Sequence, residues 1–172
     1  MNEELKKWIR SVPDFPRNGI LFRDITPALL DPRIFGQICD ILYERYEGKD
    51  IDKIAGIESR GFIFASTLAY RLHRGLIPLR KQGKLPWKKI TEKYDLEYGE
   101  AALEMHIDSI SPGERVLIID DLLATGGTAA AAANLVKRQG GSVVEIAFIL
   151  ELEYLLGRDK IEDIPVFSLL SF

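Results

Sequence analysis

The sequence runs Val116-Leu-Ile-Ile-Asp120-Asp121-Leu-Leu-Ala124-Thr125-Gly126-Gly127-Thr128, and an alanine-rich segment follows at once. The four apolar residues that open this stretch predict a short buried strand, of the kind found in parallel sheets covered on both faces. Residues 129–139 have strong helix propensity. The stretch therefore predicts a strand that ends at two acids, then a turn of small residues, then a helix.

The turn in this stretch has the features of an anion site. In an open α/β sheet, ligands bind beyond the carboxyl ends of the strands, and a helix N-terminus offers free N–H groups and a positive dipole end. The glycines at 126–127 let the backbone approach an anion closely, and the threonines on either side add hydroxyl donors. Asp120 and Asp121 would repel a phosphate, but carboxylates hydrogen-bond sugar hydroxyls and hold magnesium, usually through water. Acids beside an anion site predict a sugar phosphate ligand, with magnesium.

The bulk properties are those of one globular domain. The chain has 172 residues, 47% of them hydrophobic and 28% charged, which predicts a single domain over 1–172. Because the net charge is only −3, we expect no nucleic-acid or membrane partner. The N-terminus lacks the apolar core of a signal peptide. The lone cysteine, Cys39, excludes an intramolecular disulfide and a cysteine-rich zinc site, so we expect a cytoplasmic protein.

Strand and helix signals alternate along the rest of the chain. In order, they predict a helix over 2–10, a helix over 31–46 capped by Asp31, a strand over 53–58, a helix ending at His73, a strand over 76–80, a hairpin-like pair over 95–99 and 102–107, a strand over 142–150 and a strand over 166–170. Strands alternating with helices predict an α/β fold with a doubly wound, mostly parallel sheet of about five strands flanked by helices.

A second strand end has the features of an anion site. The turn Glu58-Ser59-Arg60-Gly61 joins the strand over 53–58 to the next helix, which places backbone N–H groups and the Arg60 side chain to bind an anion. Ser59 can instead cap the helix. The turn by itself leaves both roles open.

Residues 80–94 form a long basic segment, predicted as a loop. Between Arg74 and Lys93 the chain holds seven lysines and arginines and one acid, Glu92. A solvated charged loop is the usual explanation. A long loop without secondary structure is, however, more often a lid or binding loop than a connection. Near two anion sites, such a loop would neutralise phosphate charge and, by closing, exclude water.

The segment over residues 15–27 is irregular and is punctuated by proline and glycine. It reads Phe-Pro-Arg-Asn-Gly-Ile-Leu-Phe-Arg-Asp-Ile-Thr-Pro. Structured loops of this kind often carry function. A surface ion pair between Arg23 and Asp24 is the alternative explanation for its charged residues.

Taken together, these motifs resemble those of the type I phosphoribosyltransferases. A hydrophobic strand, two acids and Ala-Thr-Gly-Gly-Thr are similar to the phosphoribosyl pyrophosphate signature of that family, whereas the Walker loop and the dinucleotide fingerprint are absent. The version with Asp-Asp-Leu-Leu before the Ala-Thr-Gly-Gly-Thr looks like the adenine phosphoribosyltransferase branch. The segment over 15–27, the Ser-Arg-Gly turn and a Leu-Glu-Tyr-Gly motif at 96–99 follow that branch in order. The resemblance covers nearly the whole chain. It implies the type I fold with a small N-terminal hood over 1–30 and a flexible basic loop.

The resemblance implies that the hood binds adenine. The backbone at Leu21 would read the edge of the base, and the side chains of Phe22 and Arg23 would lie near the ring. By resemblance, Glu97 is the acid/base residue that faces the purine, with Tyr98 beside it in substrate binding.

The resemblance also divides the second substrate among the other motifs. Ser59 and Arg60 would bind pyrophosphate in a turn that contains a non-proline cis peptide, with Arg80, Lys81 and Lys84 as further ligands from the basic loop. Asp120 and Asp121 would bind the ribose. The 5-phosphate would be anchored by Ala124, Thr125, Gly126, Gly127 and Thr128.

The implied activity is transfer of the phosphoribosyl group from phosphoribosyl pyrophosphate to adenine, which yields AMP and pyrophosphate in purine salvage. Magnesium would be bound mainly through phosphoribosyl pyrophosphate and water, with no dedicated protein metal site, and the family implies a homodimer. Two alternatives remain open. One is a related transferase specific for another purine, and the other is a non-catalytic regulator that senses nucleotides. The second usually has an added DNA-binding domain, for which the sequence shows no basic recognition helix.

Overall fold

The computed structural model describes residues 3–95 and 100–172. The chain divides into two compact units, Met1–Tyr46 and Glu47–Phe172. The segment over 1–30 that was predicted to form the hood lies within the first unit. The assignment of the whole chain to one functional domain stays a prediction.

The first unit contains two short helices, a two-stranded sheet and one long helix. Its elements are α1 (Glu3–Lys6), β1 (Arg10–Val12), β2 (Phe22–Asp24), α2 (Thr26–Leu30) and α3 (Pro32–Tyr46). The predicted helix over 2–10 is wrong beyond Lys6, because the following residues form β1 and pair antiparallel with β2. An isolated helix of that length is marginal, so a non-local pairing overrides it. The helix over 31–46 is confirmed. Asp31 caps it by accepting hydrogen bonds from the backbone N–H groups of Arg33 and Ile34 at 2.9 and 3.2 Å.

The second unit is built on a seven-stranded sheet with the order β5-β6-β4-β3-β7-β8-β9. Its elements are β3 (Lys53–Ile57), α4 (Gly61–Leu72), β4 (Gly75–Lys81), β5 (Lys89–Asp95), β6 (Glu100–His106), β7 (Arg115–Leu123), α5 (Gly127–Arg138), β8 (Ser142–Glu151), the 3-10 helices Glu153–Leu155 and Gly157–Ile161, and β9 (Val166–Ser171). Strands β4, β3, β7, β8 and β9 are parallel, whereas β5 and β6 form an antiparallel pair. The doubly wound, mostly parallel sheet is therefore confirmed, with seven strands where about five were predicted.

One strand that was not predicted lies in the basic segment. Residues 80–94 were predicted as one long loop, but β4 continues to Lys81 and β5 begins at Lys89, so only residues 82–88 connect the two strands. In β5, Ile90 and Tyr94 pack against the core and alternate with exposed or partly exposed charged residues. The high local charge concealed this alternation. Of the predicted hairpin, the second strand over 102–107 is confirmed as β6, but its partner is β5. The predicted first strand over 95–99 lies, apart from Asp95, outside the part of the chain that the structure describes.

Helices α4 and α5 cover opposite faces of the sheet. A side chain at Gly56 would place its Cβ 2.8 Å from the Cβ of Ala65, so α4 lies on the face towards which Gly56 points. The neighbouring Ala55 points to the other face, where it belongs to a buried cluster that includes the alanines of α5. Small side chains let this helix approach the strands closely. Within residues 3–95 and 100–172, no helix is both long and apolar enough to cross a bilayer.

The middle of the sheet is a topological switch point. Strands β3 and β7 are parallel neighbours. The chain leaving β3 crosses through α4 to β4 on one side, whereas the chain leaving β7 crosses through α5 to β8 on the other. Helices α4 and α5 therefore begin beyond the same edge of the sheet, where a crevice for ligands is expected.

Candidate active site

The turn after β7 forms a small concave site, which we call the phosphate loop and define as Ala124–Thr128. Strand β7 runs through both aspartates to Leu123, so the prediction that it ends at Asp120 is wrong. Gly126 then adopts a φ of 79° at the N-terminus of α5. The loop lines a cavity of about 60 Å³ together with neighbouring residues that include Asp120 and Phe148. The predicted strand, turn and helix thus produce the geometry expected of an anion site.

The phosphate loop is in backbone contact with the 3-10 helix Gly157–Ile161. A Cβ at Gly126 would lie 2.1 Å from the carbonyl oxygen of Gly157. Conversely, a Cβ at Gly157 would lie 2.1 Å from the carbonyl oxygen of Ala124. Both positions therefore require glycine. The role of Gly157 was not predicted, because the glycine is distant in sequence and no local motif surrounds it.

The two aspartates of β7 have different surroundings. Asp121 is buried and accepts a hydrogen bond from Nε of Arg60 at 2.5 Å. Asp120 is partly buried, and its Oδ1 accepts the backbone N–H of Asp121 at 2.8 Å. Burial and the neighbouring Asp121 carboxylate raise the pKa of Asp120 well above its ordinary value. The charged form of Asp120 is therefore unfavourable, and a ligand that brings hydroxyl groups or a cation to this carboxylate would stabilise it.

The turn that precedes α4 lies directly against β7. A Cβ at Gly61 would meet the carbonyl oxygen of Ile119 at 2.7 Å and Oδ1 of Asp120 at 3.0 Å. The peptide bond between Glu58 and Ser59 is cis, as the resemblance implied. Among the described residues, no side chain caps α4, so the capping role considered for Ser59 is not observed. The turn and the acid pair are therefore brought together, with Arg60 bridging them.

Glu58 contacts all three residues of the basic segment that were predicted to bind pyrophosphate. Its buried carboxylate accepts hydrogen bonds from Nε of Arg80 at 3.3 Å, from the backbone N–H of Lys81 at 3.0 Å and from Nζ of Lys84. Burial alone would raise the pKa of Glu58, but the hydrogen bonds from Lys84, Lys81 and Arg80 lower it. The sequence shows only an acid before Ser59, so this organising role was not predicted.

Two groups of predicted residues are not among the described residues of the second unit. Glu97 and Tyr98 lie outside the described residues. Leu21, Phe22 and Arg23 belong to the first unit, where Leu21 is exposed and the ring of Phe22 packs edge-to-face on that of Phe15 at 5.1 Å. Their roles stay predictions.

Asp24 has partners on α2 and β1. It accepts hydrogen bonds from the backbone N–H and the hydroxyl of Thr26, and it lies 3.8 Å from Nε of Arg10. Arg23 donates to the hydroxyl of Ser11 at 2.5 Å. These contacts order the start of α2 and the β1–β2 pair.

The carboxylates fit a metal that is held mainly by a ligand. Within residues 3–95 and 100–172, no group of three or more His, Cys, Asp or Glu side chains is placed to hold a metal ion. Asp120 and Asp121 are adjacent at the edge of the crevice and carry oxygen atoms, the ligand type that magnesium prefers. They suit contacts to a hydrated ion that arrives with a phosphate ligand.

Comparisons with known proteins agree with this geometry. Residues 27–169 match the phosphoribosyl transferase domain. The adenine phosphoribosyltransferase of Anaeromyxobacter dehalogenans is 54% identical over 172 residues, which cover 100% of both chains. The chain belongs to the adenine phosphoribosyltransferase family. The family resemblance inferred from the motifs is thereby confirmed.

Solved structures of adenine phosphoribosyltransferases have the same fold. The crystal structure from Thermoanaerobacter pseudethanolicus is 48% identical, has a TM-score of 0.96 and is matched over 100% of both chains. The Saccharomyces cerevisiae structure is 42% identical with a TM-score of 0.92, and the match covers 98% of this chain and 97% of the yeast chain. The yeast protein was crystallised with adenine and an imino-altritol bisphosphate.

Proposed function

We propose that this chain transfers the 5-phosphoribosyl group from phosphoribosyl pyrophosphate to adenine, producing AMP and pyrophosphate for purine salvage. The observation that carries the proposal is the contact between Arg60 and Asp121, which joins the Ser59–Gly61 turn to the strand that leads into the phosphate loop. Two anion sites with an acid pair between them suit a sugar that carries phosphate groups at both ends. The adenine found with the yeast relative supports the choice of base.

Each part of the site has a role in this reaction. The phosphate loop holds the 5-phosphate, and Asp120 and Asp121 accept hydrogen bonds from the ribose hydroxyls. Arg60, together with Arg80 and Lys84, stabilises the negative charge that grows on the departing pyrophosphate. Magnesium bound to phosphoribosyl pyrophosphate would supply further charge neutralisation, and the aspartates would contact its water ligands.

The bond changes balance without a further reactant. The bond between the anomeric carbon and the pyrophosphate oxygen breaks, and the oxygen keeps the electron pair. N9 of adenine forms the new bond to the same carbon and loses its proton to a base. We assign that base to Glu97, on the resemblance of its motif.

The specificity proposal is tested with a panel of adenine, hypoxanthine, guanine and xanthine. We expect turnover with adenine, because the hood segment around Leu21, Phe22 and Arg23 follows that of the adenine enzymes. Turnover of hypoxanthine without turnover of adenine would overturn the assignment. Binding of AMP without turnover of any base would favour a regulator that senses nucleotides.

The role of Glu97 is tested with Glu97→Gln. We expect kcat to fall by about 100-fold or more, the usual contribution of a positioned acid or base, while AMP still binds. Glu100→Gln is the matched control, because Glu100 is an exposed glutamate at the start of β6 that pairs with Lys93 on the surface. Equal kcat in the two variants would exclude Glu97 as the base.

We also propose that the protein acts as a cytoplasmic homodimer, as its family implies. A lone buried cysteine, Cys39, is compatible with a reducing compartment. Sedimentation velocity across protein concentrations tests the assembly, and a species of monomer mass at micromolar concentration would contradict it.

A further inference from the structure

We propose that Glu151 and Arg158 form a positioning pair that sets the affinity of the phosphate loop for a 5-phosphate ester. The inference rests on the proposed function, because it assigns the 5-phosphate of the sugar substrate to that loop. Neither side chain is placed in the binding machinery. The pair acts through Gly157, which lies between Arg158 and the phosphate loop.

The phosphate loop lies directly against the backbone of Gly157. The closeness of Gly157 to Ala124 and Gly126 leaves no room for a methyl group at either glycine. Any displacement of Gly157 would therefore be transmitted to the loop, since close-packed backbone segments have little free space between them. The loop offers backbone N–H groups, and their strength as phosphate donors depends on being held in the correct orientation before the ligand arrives.

Arg158 ties the 3-10 helix that begins at Gly157 to strand β8. Its Nε donates to Oε1 of Glu151 at 2.7 Å, and its Nη2 donates to Oε2 at 2.6 Å. Such a bidentate pair fixes orientation as well as distance. The Glu151 side chain is only 6% exposed, whereas the Arg158 side chain is 49% exposed, so water reaches the pair from the arginine side.

Glu151 is itself fixed to the strand that carries the acids. It lies opposite Leu123 in the β7–β8 ladder, and the next residue, Leu152, donates its N–H to the carbonyl oxygen of Leu123 at 2.9 Å. The hydrogen bonds from the Arg158 guanidinium lower the pKa of Glu151 and so favour its charged form. The phosphate loop is therefore linked to strand β7 in two ways. It follows β7 in the chain, and it is also connected to β7 by contacts through Gly157, Arg158 and Glu151.

The test uses Arg158→Met and the milder Arg158→Lys, which keeps the charge but not the bidentate geometry. Glu145→Gln is the matched control. Glu145 is a second buried glutamate on β8, it lies 3.9 Å from Lys49, and it pairs with Leu117 of β7, away from the phosphate loop. The free energy of unfolding is measured by denaturant titration, and the Kd for ribose 5-phosphate and for AMP by calorimetry.

We expect Arg158→Met to raise the Kd for both ligands by about tenfold, equivalent to roughly 1.4 kcal/mol, and Arg158→Lys by about threefold. The KM for phosphoribosyl pyrophosphate should rise in parallel, while the KM for adenine changes by less than about twofold, because adenine does not contact the loop. Glu145→Gln should lower stability without changing either Kd.

A merely structural role predicts a different result. If the Arg158 variants change the Kd no more than Glu145→Gln does at similar stability, the proposal is wrong. If Arg158→Met does not fold, Arg158→Lys decides the question, and an unchanged Kd in that variant overturns the proposal.

The proposed function fails separately, if the unmodified protein does not convert adenine and phosphoribosyl pyrophosphate to AMP. The positioning role can still be judged in that case from the binding of ribose 5-phosphate.

Discussion

Folding shifts the pKa values of two carboxyl groups of the candidate site in opposite directions. Burial would raise the pKa of Glu58, but hydrogen bonds from Lys84, Lys81 and Arg80 lower it. Burial and the Asp121 carboxylate raise the pKa of Asp120. The charged form of Glu58 therefore stabilises the folded chain, whereas the charged form of Asp120 destabilises it. Glu58 holds the cationic side chains of Arg80 and Lys84 in position, whereas the negative charge of Asp120 is unfavourable until a ligand compensates it.

We expect Glu58→Gln to lower the free energy of unfolding by about 1–3 kcal/mol at pH 7, because a buried charged acceptor is lost. It should also raise the KM for phosphoribosyl pyrophosphate, since Arg80 and Lys84 lose their shared partner. The pKa of Glu58 is lowered by folding, so its stabilisation is complete above the unfolded value of about 4.3 and is lost as the pH falls through the folded value. Denaturant titrations at pH 7 and in the acid range measure the difference, which should shrink on acidification. The exposed Glu100→Gln serves as control, and a pH-independent difference would contradict the prediction.

Asp120→Asn should stabilise the protein in the absence of ligand while weakening the binding of phosphoribosyl pyrophosphate. Because folding raises the pKa of Asp120, stability is lost as the pH rises from the unfolded value of about 3.9 through the folded value. The variant escapes this loss, so its Tm should exceed that of the parent by about 2–4 °C at pH 8, the shift that 1 kcal/mol produces at this size. The advantage should vanish near pH 4. Asp108→Asn changes an exposed aspartate and should show neither effect; a Tm below that of the parent at pH 8 would refute the prediction.

Individual site residues could be predicted where the neighbouring residues in the sequence indicate their role. Asp120, Asp121 and Arg60 stand next to turns of small residues, so strand ends and helix starts indicated them. Glu58 and Gly157 were not predictable in this way, because their roles depend on partners from other elements. Glu58 needs the start of the basic segment folded over it, and Gly157 needs the phosphate loop against its backbone.

Helix α5 connects the phosphate loop to the hairpin formed by β5 and β6. Glu92 of β5 accepts hydrogen bonds from Nδ2 of Asn134 at 3.0 Å and from Nη1 of Arg138 at 2.7 Å. The same Nη1 atom also donates to the carbonyl oxygen of Thr91 at 2.8 Å. One helix therefore begins at the anion site and, near its other end, holds the hairpin whose connecting residues include Glu97.

We expect Arg138→Met to loosen this hairpin with little loss of global stability, about 0.5–1 kcal/mol, because the ion pair is partly exposed. Hydrogen exchange of residues 89–95 should accelerate relative to that of β3. If Glu97 is the base, as we propose, kcat should also fall several-fold, because Glu97 follows β5 directly in sequence. Arg115→Met is the control, since Arg115 is a comparably exposed arginine that pairs with Asp50. Equal exchange in the two variants would show that α5 does not hold the hairpin.

Elements with complete local signals were predicted well. Helix α3 has an aspartate cap and proline at its first position, and α5 follows a glycine turn with a run of alanines. Strands β1, β2 and β5 and helix α2 were missed. Strand β1 displaces a weak helical pattern by pairing with β2, which lies in the segment predicted to be irregular. Strand β5 carries lysines along one face, and their charge conceals the alternation that Ile90 and Tyr94 set on the other face.

At the scale of the whole molecule, the class of fold was predictable but the strand order was not. Alternating strands and helices predict a parallel sheet, because a crossover returns each strand in the same direction. The order β4-β3-β7 places the ends of β3 and β7 side by side, although Ile57 and Leu123, their last residues, are more than 60 residues apart in sequence. That adjacency, which no local pattern encodes, converts two separate turns into one site.

The arrangement of carboxylates predicts how metal removal affects the whole chain. Because no described cluster is placed to hold a metal, EDTA alone should leave the Tm unchanged. AMP at 100 times its Kd should raise the stability by about 2.7 kcal/mol, a Tm increase of roughly 5–10 °C, with or without EDTA. The stabilisation by phosphoribosyl pyrophosphate should be largely abolished by EDTA. Thermal scans with the three additions measure this, and a fall in Tm with EDTA alone would indicate a structural metal.

The backbone contact between Gly157 and the phosphate loop also affects when, during synthesis of the chain, the loop can bind a phosphate. A nascent chain emerges from its N-terminus, so the ribosome releases β7 and the loop before it releases the residues that support them. A chain stalled before Gly157 has left the exit tunnel would possess every residue that we assign to the 5-phosphate, but the backbone of Gly157 would not yet lie against the loop. Affinity for ribose 5-phosphate should therefore appear only late in translation, after the support has emerged.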